Sequence, residues 1–305
     1  MRYRLSFSIY QRPFKTPLKT HHGLWKIREG IILVLQNETG QITQGEIAPL
    51  PWFGTETLQQ AIALCHSFES SITTEEIKSI SDCFPACQFG FETAITNGEQ
   101  LVFNNQLENE RFCQLLPRKS DFVEKVLVFH KQGFQTFKLK IAIDKLETEI
   151  ALCQQIIESL PAASKLRLDA NGGLTFEQAK QWLQWGDRQP KLEFIEQPLP
   201  PACFDQLRWL QQNYQTAIAL DESVTNIRDL QTCYEQGWRG IFVVKAAIAG
   251  FPSRLQTFCQ KHDLDLVFST VFETEVGQQA VLNLATKLGN PQRALGMGGA
   301  HWFAE

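Results

Sequence analysis

The chain has 305 residues, 43% of them hydrophobic and 20% charged, which is enough apolar material for one large domain or for a large domain with a smaller partner. The formal net charge of −4 disfavours a surface built for phosphate backbones, so nucleic acid is not expected as a partner. No stretch approaches the roughly 20 consecutive apolar residues of a membrane span, and the polar start does not resemble a signal segment. We therefore expect a cytoplasmic protein; its oligomeric state is not fixed by the sequence, which is compatible with a monomer.

The first ninety or so residues predict an α+β domain of their own. Three segments have the alternating apolar pattern of strands, and a turn at 38–41 joins the second and third as in an antiparallel meander. Helical periodicity follows in three further segments. The predicted strands cover 3–10, 24–35 and 42–48, and the predicted helices cover 57–67, 74–81 and 86–95. We assign residues 1–97 to this domain.

From Phe103 onward, short apolar runs alternate with amphipathic helical stretches. This rhythm predicts parallel βαβ units, and at least six such strands fit a closed (β/α) barrel of about eight strands better than an open sheet. The strand-to-helix turns lack the glycine-rich motifs of nucleotide-binding folds, which argues against a doubly wound sheet. The predicted strands cover 136–141, 165–170, 192–197, 217–222, 240–245 and 265–270, and the predicted helices cover 144–159, 176–185, 204–213, 227–236 and 252–261. We assign residues 98–290 to an α/β barrel and 291–305 to a tail that returns toward the first domain.

Charged side chains end successive strands of the predicted barrel, at the edge where such barrels carry their chemistry. Because side chains alternate between the two faces of a strand, residues two positions apart point to the same side. Three successive strands end in a carboxylate, and about one βα unit separates each from the next. The strand-end residues are, in chain order, Lys138 and Lys140; Arg167, Asp169 and Asn171; Glu196; Asp221 and Glu222; Lys245; and Ser269.

The carboxylates of Asp169, Glu196 and Asp221 would repel one another in a partly dry site unless a cation lay between them. Oxygen ligands without His or Cys favour Mg²⁺, or Mn²⁺ in its place, and leave positions for a small-molecule substrate that itself carries a carboxylate. Lysines on opposite sides, Lys140 and Lys245, could remove a proton beside that carboxylate and stabilise the enediolate left behind. The alternative, rim salt bridges without function, explains one such residue better than five in order.

This constellation resembles the enolase superfamily, in which an N-terminal α+β cap domain closes over a modified (β/α) barrel. Lys138 and Lys140 on the second strand, with Lys245 on the sixth, resemble its two-lysine, muconate-lactonizing-enzyme-like branch. Within that branch, residues 17–30 and the pair Arg167 and Asn171 are similar to the o-succinylbenzoate synthase family. The resemblance implies a Mg²⁺-dependent syn dehydration of 2-succinyl-6-hydroxy-2,4-cyclohexadiene-1-carboxylate in menaquinone or phylloquinone biosynthesis.

The resemblance also implies a role for each candidate residue. Lys140 would act as base and then as acid, with Lys138 as its neighbour and Lys245 as a cationic stabiliser on the other face of the substrate. Asp169, Glu196 and Asp221 would hold Mg²⁺. The residues implied in substrate contact, or in support of the ligands, are Arg167, Asn171, Glu222, Ser269 and Gly296, with Thr20 and Trp25 in a loop over the site.

Two related reactions and one non-catalytic role are the alternatives. Relatives that also racemise N-acylamino acids tend to carry an Arg shortly after the sixth-strand lysine, where this chain has Ala247 and Ile248. Dipeptide epimerases carry an acidic pair near the eighth strand, where residues 295–299 contain no acid. Both departures favour the synthase. A non-catalytic metal-binding barrel would have no use for two lysines beside the ion.

Three weaker signals have competing interpretations. Residues 20–25 form either a surface hairpin or a lid that shields the site from water. The glycine-rich segment 296–299 is a tight turn or a cradle of backbone N–H groups for an anionic group. We interpret Glu273 as a charge at a helix N-terminus, where it would be favourable to the helix dipole, with a residue of the site as the alternative.

Overall fold

The computed structural model of the protein describes residues 1–20, 23–96, 108–117, 122–298 and 302–303. Its elements form an antiparallel sheet with three helices, followed by a parallel sheet with seven helices. The predicted domain boundary at residue 97 lies outside the described residues. Within the described ranges, no helix is both long and apolar enough to cross a bilayer.

The N-terminal domain, here called the cap domain, is built on a four-stranded antiparallel sheet. Its strands are β1 (Arg2–Thr20), β2 (Gly23–Asn37), β3 (Ile42–Ile47) and β4 (Ser71–Thr73), and its helices are α1 (Leu58–Ser67), α2 (Thr74–Lys78) and α3 (Pro85–Thr96). The strand order is β3-β2-β1-β4, and alternate residues such as Leu33 and Leu35 are fully buried. Gly45 of β3 lies directly against Gly90 of α3, so neither position has room for a side chain.

The first hairpin is longer than predicted. β1 was expected to end at residue 10, but it pairs with β2 as far as Thr20 opposite Gly23. The pairing register shifts between Pro13 and Leu18. Proline has no N–H to donate, and here it interrupts the ladder locally without ending the strand.

Seven parallel strands lie in sequence order around the barrel. They are β5 (Cys113–Leu115), β6 (Thr136–Lys140), β7 (Lys165–Asp169), β8 (Leu192–Glu196), β9 (Ile218–Leu220), β10 (Ile241–Val244) and β11 (Leu266–Phe268). The helices are α4 (Phe122–Lys131), α5 (Leu146–Ser159), α6 (Phe176–Gly186), α7 (Phe204–Asn213), α8 (Ile227–Glu235), α9 (Pro252–Lys261) and α10 (Glu275–Leu288). Leu295 bridges to Phe112 beside β5, and Gly296 bridges to Ser269 beyond β11, so residues 295–296 close the ring at the eighth position. The predicted (β/α) barrel with an N-terminal α+β domain is confirmed.

Three short or atypical elements, β4, β5 and α4, were not predicted, and α10 was predicted only through its start near Glu273. β4 and β5 have three residues each, too few for an alternating pattern to be recognised. α4 carries apolar residues on its exposed side as well, including Val123 and Leu127, which hides its helical periodicity. α10 has Gly277 in its first turn, a position where a Cβ would lie 2.8 Å from a carboxylate oxygen of Glu46.

Two buried glutamates of the cap domain accept hydrogen bonds from the N-terminal ends of two barrel helices. Glu46 of β3 accepts hydrogen bonds from the backbone N–H groups of Thr274 and Gly277, each at 2.9 Å, at the start of α10. Glu92 of α3 accepts from the backbone N–H of Ser253 at 2.9 Å, at the start of α9. Since α9 and α10 follow β10 and β11, these contacts fix the cap domain over the ends of those strands.

Candidate active site

The residues predicted at the strand ends lie together at the carboxyl-terminal edge of the barrel. Asp169 is the last residue of β7 and Glu196 the last of β8, and Asp221 directly follows β9. The strands pair in register, so that Lys140 stands beside Asp169 and Asp169 beside Glu196. All three carboxylates are buried. The period of two along each strand therefore brings Asp169, Glu196 and Asp221, here called the acidic set, to one place.

Lys138 lies between two of these carboxylates. Its Nζ is 2.8 Å from Asp169 Oδ2 and 2.7 Å from Glu196 Oε1. Lys140, two residues further along β6, reaches the same Asp169 oxygen at 3.1 Å. The two lysines differ in exposure, since the Lys138 side chain is 21% exposed and that of Lys140 is 41% exposed. Lys138 is thus enclosed by the carboxylates, and Lys140 is the more accessible of the two lysines.

Asn171 and Glu222 hold Lys140 in place. The Lys140 ammonium donates to Asn171 Oδ1 at 2.5 Å, and Asn171 Nδ2 donates to Glu222 Oε1 at 2.9 Å. Asn171 adopts a left-handed backbone with φ of 44°, and its N–H donates to Asp169 Oδ1 at 3.1 Å. Glu222, which follows β9, therefore orients Lys140 of β6 through the side-chain amide of Asn171.

Lys245 approaches the carboxylates from the opposite side. Its ammonium group hydrogen-bonds Asp221 Oδ1 and lies 4.1 Å from the centroid of the Phe53 ring in the cap domain. Lys140 contacts the β7 carboxylate and Lys245 the residue after β9, so the two lysines flank the acidic set. A planar group held at the carboxylates would have one lysine on each face.

The carboxylates carry more negative charge than the lysines balance. Burial raises the pKa of Glu196 to about 7, and the neighbouring Asp169 and Asp221 charges add to the effect despite Lys138. Burial also raises the pKa of Asp221 and of Glu222. Although burial opposes ionisation of Asp169, Lys138 and Lys140 hold its pKa well below the usual range. Burial acts against the charged form of Lys138 as well, but its carboxylate neighbours hold the pKa well above the usual value.

This excess of negative charge fits a divalent cation. Four carboxylates, those of the acidic set and of Glu222, face three lysines, and Glu222 Oε2 is a buried oxygen without a hydrogen-bond partner. Across the described ranges, no three His, Cys, Asp or Glu side chains stand at metal-ligand spacing. Lysine ammonium groups occupy the space between the carboxylates instead. Hard oxygen donors of this kind are the ligands that Mg²⁺ prefers.

Gln197 is a buried polar residue of this site that the strand-end pattern did not select. It directly follows Glu196, adopts a left-handed backbone with φ of 39°, and is fully buried. Its side-chain oxygen accepts from the backbone N–H groups of Asp221 at 2.9 Å and of Ser223 at 3.2 Å. A single left-handed residue after a strand leaves no periodic pattern in the sequence. Only its position next to Glu196 could have pointed to Gln197.

The Arg167 guanidinium lies toward the amino-terminal end of the barrel and not beside the acidic set. Its Nε forms an ion pair with Glu193 Oε2 at 2.6 Å, and Glu193 Oε1 accepts from Arg293 Nη1 at 2.9 Å. Arg293 also pairs with Asp265 at 2.6 Å. Glu193 and Asp265 stand at the amino-terminal ends of their strands, so this network closes the opposite end of the barrel. The hydrogen bonds and ion pairs of Arg167 thus lead away from the carboxylates it was expected to support.

The predicted substrate loops have separate positions. Ser269 Oγ donates to the backbone carbonyl of Gly296 at 3.2 Å, in the bridge that closes the barrel. Thr20 ends β1 opposite Gly23, and the tip of this hairpin lies outside the described residues. Trp25 packs edge-on against Trp52 at 4.9 Å and against Phe272 at 5.5 Å, measured between ring centroids. Gly299, in the second predicted loop, is likewise not among the described positions.

Glu273 directly precedes Thr274, the N-cap of α10, but its carboxylate bonds the preceding loop and not the helix. Its carboxylate accepts from Thr270 Oγ1 and from the backbone N–H of Val271, both at 2.8 Å, and so holds the loop before α10. The helix N-terminus is taken by Glu46 of the cap domain instead. Burial raises the pKa of Glu273. The sequence could not reveal that Glu46 bonds the start of α10, because Glu46 and the helix are more than two hundred residues apart in the chain.

Comparisons with known families match both parts of the chain. Residues 121–303 match the family described as enolase C-terminal domain-like, and residues 3–97 match the family described as MenC, N-terminal domain. An o-succinylbenzoate synthase from Thermosynechococcus vestitus is 38% identical over 98% of this chain and 93% of its own length. One from Listeria innocua is 26% identical over 90% of this chain and 79% of its own length.

Solved structures agree with these matches. The o-succinylbenzoate synthase from Thermosynechococcus elongatus, complexed with Mg in the active site, superposes with a TM-score of 0.91 at 38% identity, covering 99% of this chain and 94% of that chain. The L-Ala-D/L-Glu epimerase from Bacillus subtilis superposes with a TM-score of 0.78 at 20% identity, covering 96% of this chain and 88% of that chain. The second match supports the fold alone.

Proposed function

The chain belongs to the o-succinylbenzoate synthase family of the enolase superfamily, and from this premise we propose that it converts 2-succinyl-6-hydroxy-2,4-cyclohexadiene-1-carboxylate to o-succinylbenzoate and water. The reaction would serve menaquinone or phylloquinone biosynthesis. The observation that carries the proposal is the pair of lysines, Lys140 and Lys245, on opposite sides of buried carboxylates. This arrangement suits removal of a proton next to a carboxylate group.

Asp169, Glu196 and Asp221 are the residues that would hold Mg²⁺. When bound, the ion supplies positive charge for the substrate carboxylate and for the negative charge that develops there as the α-proton leaves. The Mg complex of the relative with 38% identity supports this cofactor, as do the buried oxygen donors and the unpartnered Glu222 oxygen. Lys138 would remain paired with Asp169 and Glu196 and keep those two carboxylates ionised.

Lys140 carries out the proton transfers in this proposal. In its neutral form Nζ takes the α-proton, and the resulting ammonium then gives a proton to the hydroxyl that leaves as water from the same face. Asn171 orients this nitrogen through its Oδ1, and Glu222 orients Asn171. Lys245, on the other face, stabilises the enediolate as a cation without exchanging a proton. One lysine thus performs both steps, which makes the elimination syn.

The experiment follows the ultraviolet absorbance of the cyclohexadiene substrate and removes the metal by two routes. Chelated enzyme should be inactive and should recover with added Mg²⁺. Asp221→Asn should lose activity and Mg²⁺ affinity together, because the remaining carboxylates hold the ion less well. Asp187→Asn is the matched control, since Asp187 accepts backbone hydrogen bonds from Gln215 and Thr216 at the other end of the barrel. Normal Mg²⁺ affinity in Asp221→Asn would overturn the ligand assignment.

Racemisation of N-succinylamino acids is the second candidate. The same two lysines on opposite faces suit it, because a proton must leave one face of the substrate and return to the other. Dipeptide epimerisation ranks lower, since residues 295–298 offer no acid for a substrate ammonium. The absence of an Arg after Lys245 and the 38% identity to a synthase favour dehydration.

A further inference from the structure

Gln197 connects the three strand ends that carry the acidic set. Its backbone N–H donates to the Ala219 carbonyl at 2.8 Å, toward β9. Its backbone carbonyl accepts from the Gly172 N–H at 2.7 Å, in the loop after β7. Glu196 is its immediate neighbour in the chain. One residue therefore contacts the segments that follow or precede Asp169, Glu196 and Asp221.

The side chain of Gln197 extends the sheet where the backbone ladder stops. β9 has three residues, and its pairing with β8 ends at Ala219 opposite Glu196. Asp221 lies beyond that pairing, and its N–H donates to Gln197 Oε1 at 2.9 Å. The left-handed backbone at Gln197 turns its side chain across to this position. A side-chain amide thus replaces the carbonyl that a longer strand would supply.

The same amide also fixes the turn after Asp221. Gln197 Nε2 donates to Ser223 Oγ at 2.7 Å and to the Leu199 carbonyl at 2.9 Å, and Oε1 accepts from the Ser223 N–H at 3.2 Å. Asp221 and Ser223 stand on either side of Glu222, so the direction of both acidic side chains depends on this contact. All four bonding positions of the amide are used, and the residue is fully buried.

We propose that Gln197 is a positioning residue that sets the distance and orientation of the cation-binding carboxylates, above all of Asp221. The proposal rests on the assignment of Mg²⁺ to these carboxylates under the proposed function. Gln197 itself does not touch the ion in this account. Residues that orient ligands typically change metal affinity about 10–100-fold when they are replaced.

The test is calorimetric titration of the full chain with Mg²⁺ in the absence of substrate. Gln197→Met keeps the side-chain volume and removes every amide hydrogen bond, and the Kd for Mg²⁺ should rise about 10–100-fold. Gln88→Met is the matched control, because Gln88 is a buried glutamine that donates to the Ile80 carbonyl at 2.8 Å in the cap domain. It should lose thermal stability to a similar extent and bind Mg²⁺ like wild type. A Kd for Gln197→Met within about twofold of wild type, well below the change expected for a ligand-orienting residue, would overturn the proposal.

A milder variant keeps the proposal open to refutation if Gln197→Met does not fold. Ser223→Ala removes one acceptor of the Gln197 amide and leaves the Asp221 hydrogen bond, so the Kd should rise about two- to tenfold. An unchanged Kd in that variant would count against the proposal. Failure of the proposed function looks different, because wild type itself would then bind no Mg²⁺ or would bind it without dehydrating the substrate.

Discussion

The ammonium nitrogen of Lys245 lies 4.1 Å from the centroid of the Phe53 ring, so that an aromatic residue of the cap domain contacts a lysine of the barrel site. Phe53 ends a short turn at 51–53, and its neighbour Trp52 packs against Trp25 of β2. The face of an aromatic ring carries partial negative charge and attracts a cation. The cap domain therefore contributes to the electrostatics of the site as well as covering it.

Replacement of Phe53 by Leu removes the ring face and keeps an apolar side chain. A cation–π contact stabilises by about 0.5–2 kcal/mol, so kcat/KM for dehydration should fall about two- to thirtyfold. Steady-state kinetics of the purified variant measure the change. Phe176→Leu is the control, because Phe176 makes the same kind of contact with Lys180, at 5.4 Å, on the outer helix α6. Unchanged kinetics in Phe53→Leu would show that the ring does not act on Lys245.

Lys140→Arg tests the assignment of the base. Arg keeps a positive charge near Asp169 but does not deprotonate in proteins, so it cannot take the α-proton. We expect kcat to fall by about 10²–10⁴, the usual contribution of a positioned base, while Mg²⁺ binding persists in calorimetry. Lys180→Arg, at a surface pair with Glu177, should leave both quantities unchanged. Near-normal turnover in Lys140→Arg would move the role of base to Lys245.

Glu46→Gln tests the attachment of the cap domain to α10. The amide keeps one acceptor oxygen in place of two, so part of the set of donors that face Glu46, which are the N–H groups of Thr274 and Gly277 and the Tyr10 hydroxyl, loses its acceptor. The free energy of unfolding should fall by about 1–3 kcal/mol. Thermal and urea unfolding measure this loss. Glu29→Gln, whose carboxylate accepts from Gln11 at the protein surface, should change stability by less than about 1 kcal/mol. Equal losses in the two variants would contradict the interpretation.

The network at the amino-terminal end of the barrel predicts a loss of stability in acid. Although burial opposes ionisation, Arg167 and Arg293 hold the pKa of Glu193 below its ordinary value of 4.5. A carboxyl group whose pKa is lower in the folded state stabilises the fold above its unfolded pKa, and this contribution is lost as pH falls through the folded value.

Glu193→Gln should therefore be less stable than wild type at pH 7, and the difference should shrink as pH falls below about 4.5, the ordinary pKa of a glutamate side chain. Urea unfolding at several pH values measures both free energies. A difference that stays constant from pH 7 into the acid range would show that the Glu193 charge is not what stabilises this end of the barrel.

Much of the fold and the position of the acidic set follow from local patterns. Asp169, Glu196 and Asp221 were predictable because each follows a short apolar run and strand side chains alternate. The parts that could not be predicted depend on contacts between distant segments. Phe53 meets Lys245, and Glu46 meets α10, only after the cap domain has docked on the barrel.

Local backbone conformation limited the prediction in a second way. Gln197, directly after β8, and Phe272, in the loop between β11 and α10, adopt left-handed conformations, and such turns of non-glycine residues have no reliable sequence signature. The closing bridge at 295–296 is too short to show alternation. Strand parity and the family resemblance placed Arg167 beside the carboxylates. The register is irregular between Leu166 and Arg167, and Arg167 pairs with Glu193 instead.

The most direct test of the central claim compares two reactions of the wild-type protein under the same conditions with Mg²⁺. Dehydration of 2-succinyl-6-hydroxy-2,4-cyclohexadiene-1-carboxylate is followed by ultraviolet absorbance, and racemisation of N-succinylphenylglycine is followed by optical rotation. We expect rapid formation of o-succinylbenzoate, with racemisation weak or absent. Failure to dehydrate the cyclohexadiene, or loss of optical rotation at a rate that matches dehydration, would contradict the assignment as a dedicated synthase.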